Sequence, residues 1–108
     1  MTRFDTEYIL KLENDKIYVG NTNNINKRLK QHFNNEGSKF TKKYKPIEII
    51  SINPNKNNKQ ETRTTLKYMN KYGINNVRGG KFVSSNDYSD NMIKFIEKKI
   101  NKLKNKDI

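Results

Sequence analysis

The sequence predicts an α+β fold, a small central sheet of three strands, antiparallel or mixed, flanked by helices in the order β-β-α-β-α-α. Two runs of β-forming residues near the N-terminus are separated only by the polar stretch Glu13-Asn14-Asp15-Lys16, a link short enough to require an antiparallel hairpin. A further β-rich run, Ile47-Glu48-Ile49-Ile50-Ser51-Ile52, lies between Pro46 and Pro54. The remaining apolar residues recur at helical rather than strand spacing.

In chain order, Tyr8-Ile9-Leu10-Lys11-Leu12 reads as the first strand and Ile17-Tyr18-Val19-Gly20 as the second. Asn21-Thr22-Asn23-Asn24 is rich in helix-capping types, and Ile25, Leu29 and Phe33 then repeat every four residues as the apolar stripe of a first helix, which Gly37-Ser38 breaks. Pro46 opens the third strand and Pro54 closes it, leaving Asn53 to Lys59 as a polar loop. A helix follows over Gln60 to Lys71, with Leu66 and Met69 apolar, Tyr72 continuing the stripe and Gly73 as the residue after the cap. Val77-Arg78-Gly79-Gly80-Lys81 reads as a flexible basic loop. Ser89 caps a last helix over about residues 89–105, with Asp90 in its first turn and Met92, Ile96, Ile100 and Leu103 as its apolar stripe. One domain over residues 1–108 is the expected organisation, with a motif-bearing core over about 7–80.

Composition narrows the function. A formal net charge of +12, from 23 basic and 11 acidic residues, attracts polyanions, and nucleic acid is the leading partner. No run is apolar enough to span a membrane, so a membrane partner is not expected. The absence of cysteine excludes disulfides, zinc fingers and thiolate-bound iron–sulfur clusters. The N-terminus has no apolar signal region, and an intracellular location, cytoplasm or nucleus of the host cell, is expected. Abundant lysine alone would also fit simple solubility.

Five residues stand out chemically: Tyr8, Tyr18, Arg28, His32 and Glu61. Arg28 and His32 are four apart on the first helix and share a face, about 60° around from the Ile25/Leu29/Phe33 stripe. That places them at the edge of the core, beside the sheet. Singly, each has an ordinary reading: a solvated basic face, a core tyrosine with its hydroxyl at the rim, a carboxylate complementing a helix start.

Together the residues resemble the GIY-YIG nuclease family. The resemblance is carried by Tyr8-Ile9-Leu10-Lys11-Leu12, then Ile17-Tyr18-Val19-Gly20-Asn21-Thr22-Asn23, then Arg28-Leu29-Lys30-Gln31-His32, with Gly37-Ser38-Lys39-Phe40-Thr41-Lys42-Lys43-Tyr44 before a strand and Glu61 opening the next helix. It implies a metal-dependent DNA endonuclease that hydrolyses phosphodiester bonds, one strand per event. Tyr18 would stand at or near the general-base position, with Tyr8 supporting the site. Arg28 would hold the scissile phosphate, and His32 would assist proton transfer or phosphate binding. Glu61 would be the one protein ligand to Mg²⁺ or Mn²⁺.

These types suit the chemistry, because phosphodiester hydrolysis needs charge neutralisation and an activated water, and Mg²⁺ often takes only one or two carboxylates. The chain departs from the family's Gly-Ile-Tyr at Thr6-Glu7-Tyr8, where only the tyrosine is kept, and has Val19 for isoleucine in the second motif.

Lys39, Lys42 and Lys43 are the expected contacts to DNA phosphates. Arg78, beside Gly79-Gly80, is a further candidate, equally readable as part of a turn. A second copy of the chain, or an accessory protein, could supply specificity. Two other readings stay open: a non-catalytic nucleic-acid-binding module on the same fold, and a small basic ribosome-associated structural protein.

Overall fold

The short polar link does reverse the chain. Strand β1 (Phe4–Leu12) passes through a 3-10 turn at Glu13–Asp15 into β2 (Ile17–Thr22), and the two pair antiparallel with Tyr8 opposite Gly20 and Leu10 opposite Tyr18. Asn14 and Asp15 both take φ 59, a left-handed conformation that Asn and Asp adopt more readily than other side chains. The structure, a computed structural model, describes residues 4–57 and 60–106.

Two further strands complete a four-stranded mixed sheet in the order β3-β1-β2-β4. Strand β3 (Pro46–Asn57) lies antiparallel to β1, and β4 (Val77–Gly79) lies parallel to β2. The α+β class and the flanking helices are as the sequence indicates, with one more strand. Residues Val77–Gly79, expected as part of a flexible basic loop, are a strand because they pair with Ile17, Tyr18 and Val19.

Strand β3 also runs past Pro54, through most of the expected Asn53–Lys59 loop, of which residues 58 and 59 lie outside the described residues. Pro54 is tolerated because β3 is an edge strand, where a missing N–H on the outer side breaks no ladder bond.

Alternation along β1 and β2 gives the sheet two faces with different cargo. On one face Tyr8, Leu10 and Leu12 pack with Phe40, joined at the margin by Tyr18, Ile25, Leu29 and Tyr44. This face carries α1 (Ile25–Phe33) and the short α2 (Lys39–Lys43). On the other, Ile9, Ile17 and Val19 meet Leu66 and Met69 of α3 (Gln60–Tyr72) and Ile96 and Ile100 of α4 (Asp90–Lys106). The stripe predicted for the last helix is therefore core: Met92 and Leu103 flank the buried Ile96 and Ile100.

Two predicted apolar positions are not buried. Phe33 is 46% exposed and Tyr72 42% exposed. On α1 the most buried residue is His32 instead, because a polar site, and not the apolar stripe alone, faces inward.

Candidate active site

Each functional side chain is held by a different local device. Tyr8 lies across Gly20, its cross-strand neighbour, and a Cβ at Gly20 would stand 2.1 Å from the Tyr8 ring carbon Cζ. Gly20 therefore serves for space beneath the ring, and not for backbone freedom. Helix α1 starts at Asn24, whose side chain accepts from the Lys27 N–H at 3.2 Å, and this fixes the first turn from which Arg28 and His32 project. Helix α2 starts at Ser38, capped in the same way through the Thr41 N–H. Gly37 admits the contact between these two helices, since a Cβ there would lie 2.3 Å from His32 Nδ1.

The three rings form one cluster, with centroids 5.1 Å apart for Tyr18 and His32, 5.5 Å for Tyr8 and His32, and 6.3 Å for the two tyrosines. The Tyr8 hydroxyl is 2.8 Å from His32 Nε2, and His32 Nδ1 is 3.0 Å from the Thr41 hydroxyl. Arg28 donates from Nη1 to Gln31 at 2.9 Å, with its charge within reach of both tyrosines.

These bonds fix the direction of the chain. The Thr41 hydroxyl gives its one proton to the Ser38 carbonyl, so it accepts from His32 Nδ1, and His32 Nε2 is left to accept from the Tyr8 hydroxyl. His32 then carries its proton on Nδ1 and donates to Thr41, whose hydroxyl donates to the Ser38 carbonyl at 3.1 Å.

The electrostatics agree with that assignment. Burial, reinforced by the Arg28 charge, pushes the His32 imidazole down to about 4, so it is neutral at physiological pH. Burial pushes the Tyr8 and Tyr18 phenols up, and both stay protonated although Arg28 pulls the other way. Burial alone would lower Arg28. The hydroxyls of Tyr8 and Tyr18 beside it outweigh this and hold its affinity for the proton above the ordinary value.

Glu61 stands in the first turn of α3, on the opposite face of the sheet, yet within electrostatic reach of Tyr8, Tyr18 and Arg28. Burial raises its carboxyl, which the Gly80 N–H partly offsets by donating to it, while nearby Glu7 raises it further. Glu61 borders a cleft that Arg63, Gly80 and Lys81 also line, so it is open to solvent on one side. Tyr8, Tyr18, Arg28 and His32 thus gather on one face of the sheet, and Glu61 stands across it, within electrostatic reach.

The phosphate-contact residues divide. Lys39, Lys42 and Lys43 are exposed on α2, next to this cluster, although Lys43 Nζ also donates to the Ser85 carbonyl at 3.1 Å. Arg78 requires a correction. It is 1% exposed and donates to the carbonyls of Ser84, Ile74, Val77 and Asn86 and to the Asn75 side chain at 2.8–3.1 Å. Its guanidinium also lies 4.0 Å over the Tyr88 ring. A side chain so committed has no fork to offer a phosphate. It ties the segment between Ile74 and Asn86 to itself.

Sequence reading missed Glu7, Asn21, Thr41 and Gly80. Glu7 could have been found by alternation: Ile9 faces the core, so Glu7, two residues earlier, faces it as well. Thr41 is signalled by its spacing from the capping Ser38, whereas nothing local announces Asn21 or Gly80.

A divalent cation fits the oxygen donors at this end of the sheet. Among the described residues no group of three or more His, Asp and Glu side chains gathers as a closed metal site would require. Mg²⁺ suits such sparse ligation because it keeps several waters. Glu61 supplies a partly accessible carboxylate with Glu7 nearby, and the side-chain oxygen and nitrogen of Asn21, opposite Glu7 in the β1–β2 register, are buried without a hydrogen-bond partner.

The family described as the GIY-YIG catalytic domain matches residues 7–63. A UPF0213 protein of Clostridium perfringens is 36% identical over 64 residues, covering 59% of this chain and 68% of that one. The UPF0213 protein YazA of Bacillus subtilis is 40% identical over 43 residues, covering 40% of this chain and 43% of its own length. A UPF0213 protein from the VLF1-GP41 intergenic region of Autographa californica nuclear polyhedrosis virus is 40% identical over 43 residues, covering 40% of this chain and 41% of the viral one. The chain thus spans less than half the length of the latter two. No solved structure matches it.

Proposed function

Because the chain belongs to the GIY-YIG catalytic-domain family, a nuclease family, we propose that it is a metal-dependent DNA endonuclease that hydrolyses phosphodiester bonds, nicking one strand per event. The observation that carries this reading is the cluster of Tyr8, Tyr18, Arg28 and His32, drawn from β1, β2 and α1, with the Glu61 carboxylate of α3 within electrostatic reach of it. A module that only binds nucleic acid needs the lysines and has no use for that cluster.

Arg28 is the phosphate anchor. It stays charged, is half-buried, and its planar fork suits two phosphate oxygens at once. Neither tyrosine is a phenolate at neutral pH, so a tyrosine can take a proton only by passing one on. Tyr8 bonds the neutral Nε2 of His32, 2.8 Å away, but burial and the Arg28 charge hold that imidazole at about 4, too weak a base to keep the proton. The buried Tyr8–His32 pair therefore supports the site, and Tyr18, the partly exposed one of the two tyrosines, orients the attacking water. Mg²⁺ or Mn²⁺ held by Glu61, when bound, supplies the charge neutralisation that a leaving alkoxide needs. The exposed Lys39, Lys42 and Lys43 add sequence-independent contacts to the DNA backbone.

The test is a supercoiled plasmid incubated with the purified protein in Mg²⁺ or in EDTA. Nicked circles should form only with the metal, and Glu61→Ala should abolish them while DNA affinity stays largely intact. Undiminished nicking by Glu61→Ala removes Glu61 from the mechanism.

A further inference from the structure

Glu7 is 3% exposed, a carboxylate placed where the alternation of β1 calls for an apolar side chain. Its Oε2 accepts a hydrogen bond from the Thr64 hydroxyl at 2.9 Å. Thr64 is one turn along α3 from Glu61, so the two share a face of that helix, and the residue that holds Glu7 holds it beside Glu61. Each carboxylate has its own anchor, the Thr64 hydroxyl for Glu7 and the Gly80 N–H for Glu61. Asn21 pairs with Glu7 across β1 and β2, on the same face, and its buried amide has no partner. A buried acid beside a second acid and an unsatisfied amide is costly as it stands and becomes favourable around a cation.

We propose that Glu7 is a second acidic ligand of the divalent-cation site, acting with Glu61 from the opposite side of the β1–α3 contact. Position 7 is also where the chain departs from the family's first motif. The inference rests on the metal-dependent reading above and extends it: the site takes two carboxylates, held from two elements, with water completing the shell.

Mn²⁺ binding, followed by the electron paramagnetic resonance of the free ion, tests this without reference to cleavage. The full chain should bind Mn²⁺, Glu61→Gln should bind it at least tenfold more weakly, and Glu7→Gln should do the same while keeping the shape needed to accept from Thr64. Glu7→Asp should fall between the wild type and Glu7→Gln. If Glu7→Gln does not fold, Thr64→Val replaces it, and by freeing the Glu7 carboxylate it should weaken Mn²⁺ severalfold. Binding by Glu7→Gln, or by Thr64→Val in its place, within twofold of wild type overturns the proposal. With Glu61→Gln still defective, that outcome leaves the single-carboxylate reading standing. A wild-type chain that binds no Mn²⁺ overturns both.

Discussion

Arg28 and Arg78 stand in regions that look alike on paper, each a basic residue near glycines or asparagines in a chain that otherwise prefers lysine. In the fold they are opposites. Arg28 is half-exposed and bonded to Gln31, with its charge beside two tyrosines. Arg78 is enclosed, and four carbonyls and an asparagine surround its donors. What separates an arginine with donors to spare from one spent on its own loop is the supply of acceptors around it. A loop folded back on itself has many carbonyls to spare, whereas a helix face has none, because its carbonyls are spent within the helix.

The largest effect expected from breaking this contrast is on Arg78. Arg78→Met should strand several buried acceptors and cost about 3–5 kcal/mol of stability. In a chain of this size that lowers the melting temperature by about 12 °C or more, read by circular dichroism. A melting temperature within 2 °C of wild type would show that the Arg78 bonds are dispensable.

Arg28→Lys should do the reverse. Turnover should fall about a hundredfold or more, near 3 kcal/mol in the barrier, because lysine cannot reproduce a bidentate grip on a phosphate. Its melting temperature should stay close to wild type. A rate near wild type would reduce Arg28 to a generic charge, measurable in the plasmid-nicking assay.

The smallest effect sharpens the Arg28 side. His32 sits under the Arg28 charge and is pushed down to about 4 in the folded protein, below the ordinary ~6.5 of an unfolded histidine. Between those values the unfolded chain binds a proton that the folded one refuses. Stability from this group is therefore complete above about pH 6.5 and is lost as the pH falls toward 4. From pH 7 to pH 5 it should decline by about 2 kcal/mol in urea titrations, and His32→Gln should lack that decline. An equal slope in both proteins would assign the acid sensitivity to other groups.

Legibility followed the same division. The hairpin, α1, α3, α4 and the four clustered side chains were readable because periodicity and capping are local, and because Arg28 and His32 needed only helical spacing to share a face. Strand β4 was not readable. Three residues that include an arginine and a glycine have no strand pattern, and only pairing with Ile17, Tyr18 and Val19 makes them one. Phe33 and His32 exchanged their expected burial because a periodic stripe cannot tell that Thr41, nine residues on, waits to bond an imidazole. The extent of β3 was hidden for a similar reason, since Pro54 stops a strand only where its N–H would be needed, and edge position is a property of the whole sheet.

Strand β4 and the glycines after it also bear on how much chain the site requires. Glu61 falls inside the stretch that marks the family, residues 7–63, but the N–H that anchors its carboxyl comes from Gly80, at φ 53 and pressed against Thr62 so closely that a Cβ would lie 2.4 Å from the Thr62 hydroxyl. Gly80 in turn follows the short strand that aligns with β2, whose own position is secured by the guanidinium of Arg78. The stretch sufficient to recognise this protein is thus shorter than the stretch needed to build its site. Kinship is written in the first two-thirds of the chain, and competence is countersigned from outside it.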